Sequence, residues 1–270
     1  MRIEANQVHF DYPGGVQALR GVTLTIQSGE KVALVGQNGA GKTTLVKHFN
    51  GLLKPTSGVV LIEDWDTSAY SVAKLSARVG YVFQNPDEQL FSRTVEQELA
   101  VGPKNLGYTP EKARQLVDDA LALTELAGQR NTNPYDLSPT WRKMVALASI
   151  IAMDTPVLIF DEPTTGQDAT SVQRIGHIVK TLAERGKTII TITHDIDFAA
   201  DHFERLIAMS QGQILLDGPL MDVIAEEELL ASTYVDPPQL TRLANRLGIP
   251  QTVCTQANFI KAYRNWREQR

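Results

Sequence analysis

The sequence predicts an α/β fold built around a phosphate-binding loop, with an antiparallel β subdomain, a helical insert and a small C-terminal extension. Three observations carry this expectation. The stretch Gly36-Gln37-Asn38-Gly39-Ala40-Gly41-Lys42-Thr43-Thr44 fits the pattern G-x-x-x-x-G-K-[ST] at every position. It lies between a short apolar run, Lys31–Val35, and a helix-prone stretch, Thr44–Phe49. Three later apolar runs end in polar or charged residues, which is where parallel sheets present groups to ligands.

The elements follow in order. Residues 1–28 alternate apolar and polar, with Ile3, Val8 and Phe10, then the turn Pro13-Gly14-Gly15, then Val22–Ile26; this reads as an antiparallel layer leading into the loop. Tyr12 sits just before the turn, an aromatic placed to stack on a base or to close the strand end. In the loop, glycines let the backbone wrap phosphates closely, and the following helix start adds a positive dipole end. Lys42 is expected to reach the β- and γ-phosphates and the Thr43 hydroxyl to ligate Mg²⁺. Val59–Ile62 and Val79–Phe83 read as strands, the second ending at Gln84-Asn85-Pro86.

Residues 86–150 change character and read as mostly helical, with Leu116, Val117, Ala120, Leu121, Leu123 and Leu126 at helical spacing. The stretch Pro86–Phe91 is acidic, then apolar, and is expected to be a loop whose Leu90 and Phe91 cover no core and form a docking edge. Val157–Phe160 is a buried strand ending in Asp161-Glu162. Two carboxylates at such a strand end are costly unless one holds a metal and the other activates water. A helix over 168–184 stops at Gly186, and the strand Thr188–Thr193 ends in His194-Asp195. Residues 211–218 read as a hairpin or turn-strand. The remainder is polar and helix-prone, interrupted by Pro237-Pro238 and Pro250, with a basic face of Lys261, Arg264, Arg267 and Arg270.

Bulk properties set outer limits. The 270 residues carry 43% hydrophobic and 21% charged side chains, an ordinary globular balance that buries a sizeable core. A net charge of -5 and a pI near 5.6 argue against a nucleic-acid partner. Cys254 is the single cysteine, so no internal disulfide or thiolate metal cluster is expected, and it reads as a small apolar filler. Met1–Asn6 lacks the apolar core of a secretory signal, and the longest apolar run, Met144–Met153, is too short to cross a bilayer. An intracellular protein that meets a membrane through a partner is the expectation.

Taken together, these motifs resemble the ATP-binding subunit of an ABC transporter, over roughly residues 2–220. The resemblance implies a P-loop NTPase core of the ABC ATPase type over 1–220, a helical subdomain at about 86–150, and a C-terminal helical extension over 221–270. It implies ATP and Mg²⁺ as cofactors, and it assigns residues. Tyr12 stacks on adenine, and Gly36, Gln37, Asn38, Gly39, Ala40, Gly41, Lys42, Thr43 and Thr44 bind the phosphates. Thr43, Gln84 and Asp161 serve the metal. Glu162 is the catalytic carboxylate, His194 the switch histidine, and Asp168 the D-loop aspartate. A narrower likeness, in Phe83–Phe91 and Gly102–Gly107, is to the energy-coupling factor branch, importers of vitamins or transition-metal ions such as cobalt or nickel. That implies a second ATPase subunit, a transmembrane coupling subunit and a substrate-binding membrane protein as partners, and a peripheral place on the cytoplasmic face of the membrane. A soluble ABC-type ATPase, or a non-hydrolysing nucleotide-dependent regulator, is the alternative.

One motif departs. The family signature Leu-Ser-Gly-Gly-Gln aligns with Leu137-Ser138-Pro139-Thr140-Trp141. Pro139 has no N–H to offer a phosphate, and Thr140 and Trp141 obstruct close backbone approach. Ser138 remains suited to cap the helix that follows, with Pro139 in its first turn. The expectation is a normally folded element that binds a partner's phosphate poorly, hence a hetero-pair in preference to a homodimer.

Overall fold

A computed structural model describes residues 1–268 of the chain. Arg270, expected on the basic C-terminal face, lies outside the described residues. The alternating N-terminal segment forms β1 (Ile3–Asp11) and β2 (Gln17–Ile26), and the apolar run before the loop is β3 (Lys31–Val35). The loop opens α1 (Lys42–Phe49), followed by β4 (Ser57–Ile62), β5 (Trp65–Asp66), α2 (Val72–Leu75) and β6 (Val79–Val82). A helical stretch follows: α3 (Val95–Asn105), α4 (Pro110–Leu123) and α5 (Pro139–Ile151). The chain then returns through β7 (Val157–Asp161), α6 (Ala169–Glu184), β8 (Thr188–Ile192), α7 (Ile196–His202), β9 (Arg205–Ser210) and β10 (Gln213–Pro219). The last helices are α8 (Leu220–Ala225), α9 (Glu227–Ser232), α10 (Gln239–Leu247) and α11 (Gln256–Glu268).

Two sheets result. The first has the order β2-β1-β4-β5 and is antiparallel. The second has the order β10-β9-β3-β8-β7-β6; its strands from β9 to β6 run parallel and β10 closes the edge antiparallel. Its central strands are buried on both faces, which is why they read as unbroken apolar runs and not as alternation. The period of two still sorts their side chains. Val32, Leu34, Ile159 and Ile190 face the first sheet and α1, joining Phe10, Leu45 and Phe49 in one core. Ala33, Val35, Leu158 and Phe160 face the helices, where Met144–Ala148, Ile175, Ile178 and Val179 form the other. A fully buried side chain such as Phe49 or Phe160 is worth about 1.5–3 kcal/mol of burial free energy.

The parallel strands all end on the same side, so β3, β6, β7 and β8 deliver the phosphate loop, Gln84, Asp161-Glu162 and His194 to a single edge.

One sequence expectation is corrected. Leu90 is a core residue, 3% exposed, packed with Val95, Leu99 and Val117. Only Phe91 stands out, 71% exposed. The reason is a pair of polar groups, buried Glu98 and half-buried Gln89, that hold the loop inward. The Glu98 carboxylate accepts from the N–H groups of Phe91 (3.0 Å) and Ser92 (2.7 Å), and the Gln89 amide donates to the Ala146 carbonyl (2.8 Å) and to Ser149 (2.9 Å). The C-terminal helices also dock on the main body: Leu230, Val235 and Cys254 join the helix-facing core, while Ala244, Ile249, Val253 and Ala262 form a small core of their own. Among the described residues no helix is long and apolar enough to cross a membrane.

Candidate nucleotide site

The site begins at the loop. Gly36 and Gly41 have φ of 139° and 99°, and a Cβ on Gly41 would lie 2.7 Å from the Ala18 carbonyl oxygen, so side chains are excluded by both conformation and space. Gly41 is the N-cap of α1 and offers no side-chain cap, which leaves the first N–H groups of the helix to a ligand. The Lys42 ammonium lies inside the loop, donating to the carbonyls of Gly36 (2.6 Å) and Gln37 (3.0 Å). Burial lowers its pKa, and the nearby Glu162 and Asp161 act against that shift.

Asp161 is 3% exposed and ends β7 beside the loop. It accepts from the Thr43 hydroxyl (3.2 Å) and from the Tyr81 phenol (2.5 Å). Burial raises its pKa, the two hydroxyl donors working the other way. Burial and the Asp161 charge raise the Tyr81 pKa in turn, so Tyr81 serves as a fixed donor. These oxygen-only groups suit a small hard cation.

Glu162 follows with φ of 49°, a left-handed conformation uncommon for a residue with a Cβ. That turn swings its carboxylate out to the mouth of the site. There one oxygen lies 3.0 Å from His194 Nε2, and the other accepts from Gln84 Nε2 (3.0 Å) and the Thr165 hydroxyl (2.9 Å). Its carbonyl accepts from Lys143 Nζ at 2.6 Å.

The cleft in front of these groups holds about 400 Å³ and is lined by the loop residues Asn38–Thr44, by Gln84 and Glu162, and on its outer side by Tyr12, Val16 and Ala18. Tyr12 is 37% exposed, and its hydroxyl lies 3.0 Å from the Thr44 hydroxyl, so its ring stands at the rim.

The expected residues thus fall into two groups. Tyr12, Asn38–Thr44, Gln84 and Glu162 line one cleft, with Asp161 behind it and His194 on Glu162. Gly36 and Gln37 form the near side of the loop, where the Gln37 N–H donates to the carbonyl of Thr233 in the C-terminal helices (3.0 Å). The second group stands apart. Asp168 caps α6, accepting from the Ser171 N–H (2.8 Å). Ser138 caps α5 with Pro139 in its first turn, and Trp141 lies partly buried on the core with the Arg174 guanidinium 5.0 Å from its ring centre. The sequence reading missed Tyr81, Lys143 and Thr233. Tyr81 carried a signal, a phenol one strand over from the Asp161 strand and in an apolar run; Lys143 and Thr233 carried none, because their partners are backbone carbonyls and backbone N–H groups.

The sequence profile of the ABC transporter family matches residues 19–165. The chain belongs to the ABC transporter family of ATP-binding proteins. A putative ABC transporter ATP-binding protein of Methanosarcina acetivorans is 43% identical over 263 residues, covering 95% of this chain and 43% of its own length. The energy-coupling factor transporter ATP-binding protein EcfA of Methanothermobacter thermautotrophicus is 38% identical over 247 residues, covering 91% of this chain and 79% of its own. Among solved structures, cbiO1 of Clostridium perfringens, part of the ABC transporter complex cbiONQ, superposes with a TM-score of 0.77 at 34% identity, over 92% of this chain and 98% of its own. The chain spans less than half the length of three curated relatives, at 43%, 43% and 39%. The likeness to the energy-coupling factor branch rests on a relative that this chain covers over 79% of its length and a structure that it covers over 98%.

Proposed function

We propose that this ABC cassette binds and hydrolyses ATP to power an energy-coupling factor importer for a vitamin or a transition-metal ion. The observation that carries hydrolysis is the placement of Glu162. Its carboxylate stands at the mouth of the phosphate cleft, oriented at once by His194, Gln84 and Thr165. A carboxylate so placed orients the attacking water and takes its proton as the bond to the γ-phosphorus forms and ADP leaves. Lys42 and the loop N–H groups neutralise charge on the departing phosphates, and Tyr12, on the outer rim, stacks on adenine. Thr43 and Asp161, with the Gln84 amide oxygen, would hold Mg²⁺; their oxygen-only character and adjacency support this. When bound there, Mg²⁺ supplies further neutralisation of the β- and γ-phosphate charge.

Coupling to a membrane is supported by the Gln84–Ser92 loop. Phe91 is exposed and lines a cleft of about 500 Å³ with Val101, Leu106 and Met153, in a loop otherwise pinned by half-buried Gln89 and buried Glu98. We assign this edge to a transmembrane coupling subunit at the cytoplasmic face, with a substrate-binding membrane protein beside it. The second ATPase subunit is a relative with an intact signature, because Pro139 and Thr140 leave this chain a poor donor to its partner's γ-phosphate.

Replacing Glu162 tests the reading. Glu162→Gln is expected to keep ATP affinity and to lower turnover by on the order of a hundredfold or more. Turnover within a few-fold of the parent, in the assembled complex, refutes the assignment.

A further inference from the structure

We propose that Lys143 is a positioning residue for hydrolysis: its ammonium clamps the carbonyls of Glu162 and Thr165 and so keeps the Glu162 carboxylate at the mouth of the cleft. This rests on the reading of Glu162 as the group that orients water.

Lys143 is only 4% exposed, on α5. Its Nζ donates to the Glu162 carbonyl at 2.6 Å and to the Thr165 carbonyl at 3.3 Å. An ammonium in that position is costly, and burial lowers its pKa. A methionine or leucine would fill the same space without the cost. Packing therefore gives no reason for a charge there; the two carbonyls do.

Those carbonyls bracket the turn that carries Glu162. A residue with a Cβ persists in the left-handed region only where its surroundings over-determine it, and Glu162 is so held at φ of 49°. Its N–H is fixed by the Ile192 carbonyl of β8 (2.9 Å) and its carbonyl by Lys143. The Thr165 hydroxyl that holds the Glu162 carboxylate at 2.9 Å belongs to the second residue that Lys143 grips. Without the ammonium, the Glu162 carbonyl keeps only the long bond from the Thr165 N–H (3.4 Å), and the turn loses its cross-tie to α5. The nucleotide loop itself makes none of these bonds, so ATP binding stays intact.

The clamp also has a consequence for the dimer. Lys143 lies just over one turn into α5, whose first turn is the Ser138–Trp141 segment. The element that meets the partner's nucleotide is thereby tied to this chain's own Glu162.

The test is a double-mutant cycle on the full chain with ATP and Mg²⁺, comparing the parent, Lys143→Met, Glu162→Gln and the double variant. Single-turnover hydrolysis of γ-labelled ATP gives the rate, calorimetry the ATP affinity, and thermal unfolding the integrity of the fold. Lys143→Met is expected to slow hydrolysis at least about tenfold and to leave ATP affinity within about threefold. On the Glu162→Gln background it is expected to add less than about twofold, because a residue that acts through Glu162 has nothing left to position. Lys143→Met hydrolysing at the parent rate while Glu162→Gln is slow overturns the proposal alone. Glu162→Gln at the parent rate overturns the reading of Glu162 and the proposal with it. An equal loss on both backgrounds, or an affinity that falls in step with the rate, makes Lys143 a structural tie and also overturns it. If Lys143→Met does not fold, Lys143→Leu, which likewise lacks an N–H donor, runs the same cycle; failure of both to fold counts against the proposal in the same way.

Discussion

Restoring the signature segment sets stability against activity, and the structure gives the size of each. The perturbation is Pro139→Gly, Thr140→Gly and Trp141→Gln together in the isolated chain. On the stability side, two glycines enter the first turn of α5, where each costs up to about 1 kcal/mol relative to a good helix former. Trp141 gives up the Arg174 guanidinium 5.0 Å from its ring, about 0.5–1 kcal/mol, together with part of its packing on the core. The sum is about 2–4 kcal/mol of lost stability, or roughly 5–15 °C in the unfolding midpoint of a chain of this size. Ser138 keeps its capping role, so the helix still starts where it does. On the activity side, each N–H restored to a γ-phosphate in the transition state is worth about 1.5–3 kcal/mol, roughly ten- to a hundredfold in rate. The restored chain is therefore expected to melt lower and to hydrolyse ATP at least tenfold faster, by about the lower of those figures. Steady-state phosphate release and a thermal melt on the same sample measure both. A parent chain that already turns over as fast as the restored one removes the signature from the rate. A restored chain as stable as the parent refutes the role given to Trp141.

Three further outcomes follow from the same geometry. Lys42→Ala removes the cation held inside the loop and is expected to weaken ATP binding by on the order of a hundredfold or more in calorimetry; equal affinity refutes the loop assignment. Asp161→Asn replaces a buried carboxylate whose charged form burial disfavours. It is expected to raise the unfolding midpoint without nucleotide and to abolish the rise that ATP with Mg²⁺ gives the parent, which at a hundred times Kd is about 2.7 kcal/mol; a nucleotide-induced rise that survives excludes Asp161 from the metal site. Phe91→Glu is expected to leave ATP hydrolysis unchanged and to cut co-purification with membrane subunits, whereas Leu90→Glu, in the core, is expected to unfold the helical layer. Phe91→Glu that still co-purifies at the parent level refutes the docking edge.

Much of this site was legible in the chain because its chemistry is local. The phosphate loop, Gln84, Asp161-Glu162 and His194 each sit at the end of an apolar run, and the parallel sheet brings those ends together by construction. Leu90 was misplaced for a definite reason. Its neighbours Asp87, Glu88 and Gln89 made the stretch read as exposed, but what turns it inward is the buried carboxylate of Glu98, several residues on. Glu98 itself gave no sign of burial, because a carboxylate accepting two backbone N–H bonds looks in sequence like any glutamate on a helix. Lys143 was hidden in the same way, and so was the Thr233 carbonyl on Gln37: bonds to backbone groups leave no residue pattern to read.

The position of α5 explains why a changed signature need not disturb this chain's own cleft. Its buried stretch Met144–Ala148 is 0% exposed, so the helix cannot slide on the core without losing close packing on every side. Three ties leave it for other parts of the chain. Gln89 joins it to the Gln84–Ser92 loop through the Ala146 carbonyl and Ser149, and Lys143 joins it to Glu162 and Thr165. Arg142 makes an ion pair with Asp87 at 2.9 Å. They differ in strength for a physical reason. The Arg142–Asp87 pair meets solvent and is worth about 0–1 kcal/mol, so it yields easily. The Gln89 and Lys143 bonds are shielded, and breaking them strands buried polar groups at about 1–3 kcal/mol each. The loop that carries Phe91 and the turn that carries Glu162 are thus both tied to α5 by shielded bonds, and the loop by the weaker surface pair as well. None of these bonds involves Pro139 or Thr140. The substituted segment is therefore separate from the bonds that tie α5 to the Gln84–Ser92 loop and to Glu162.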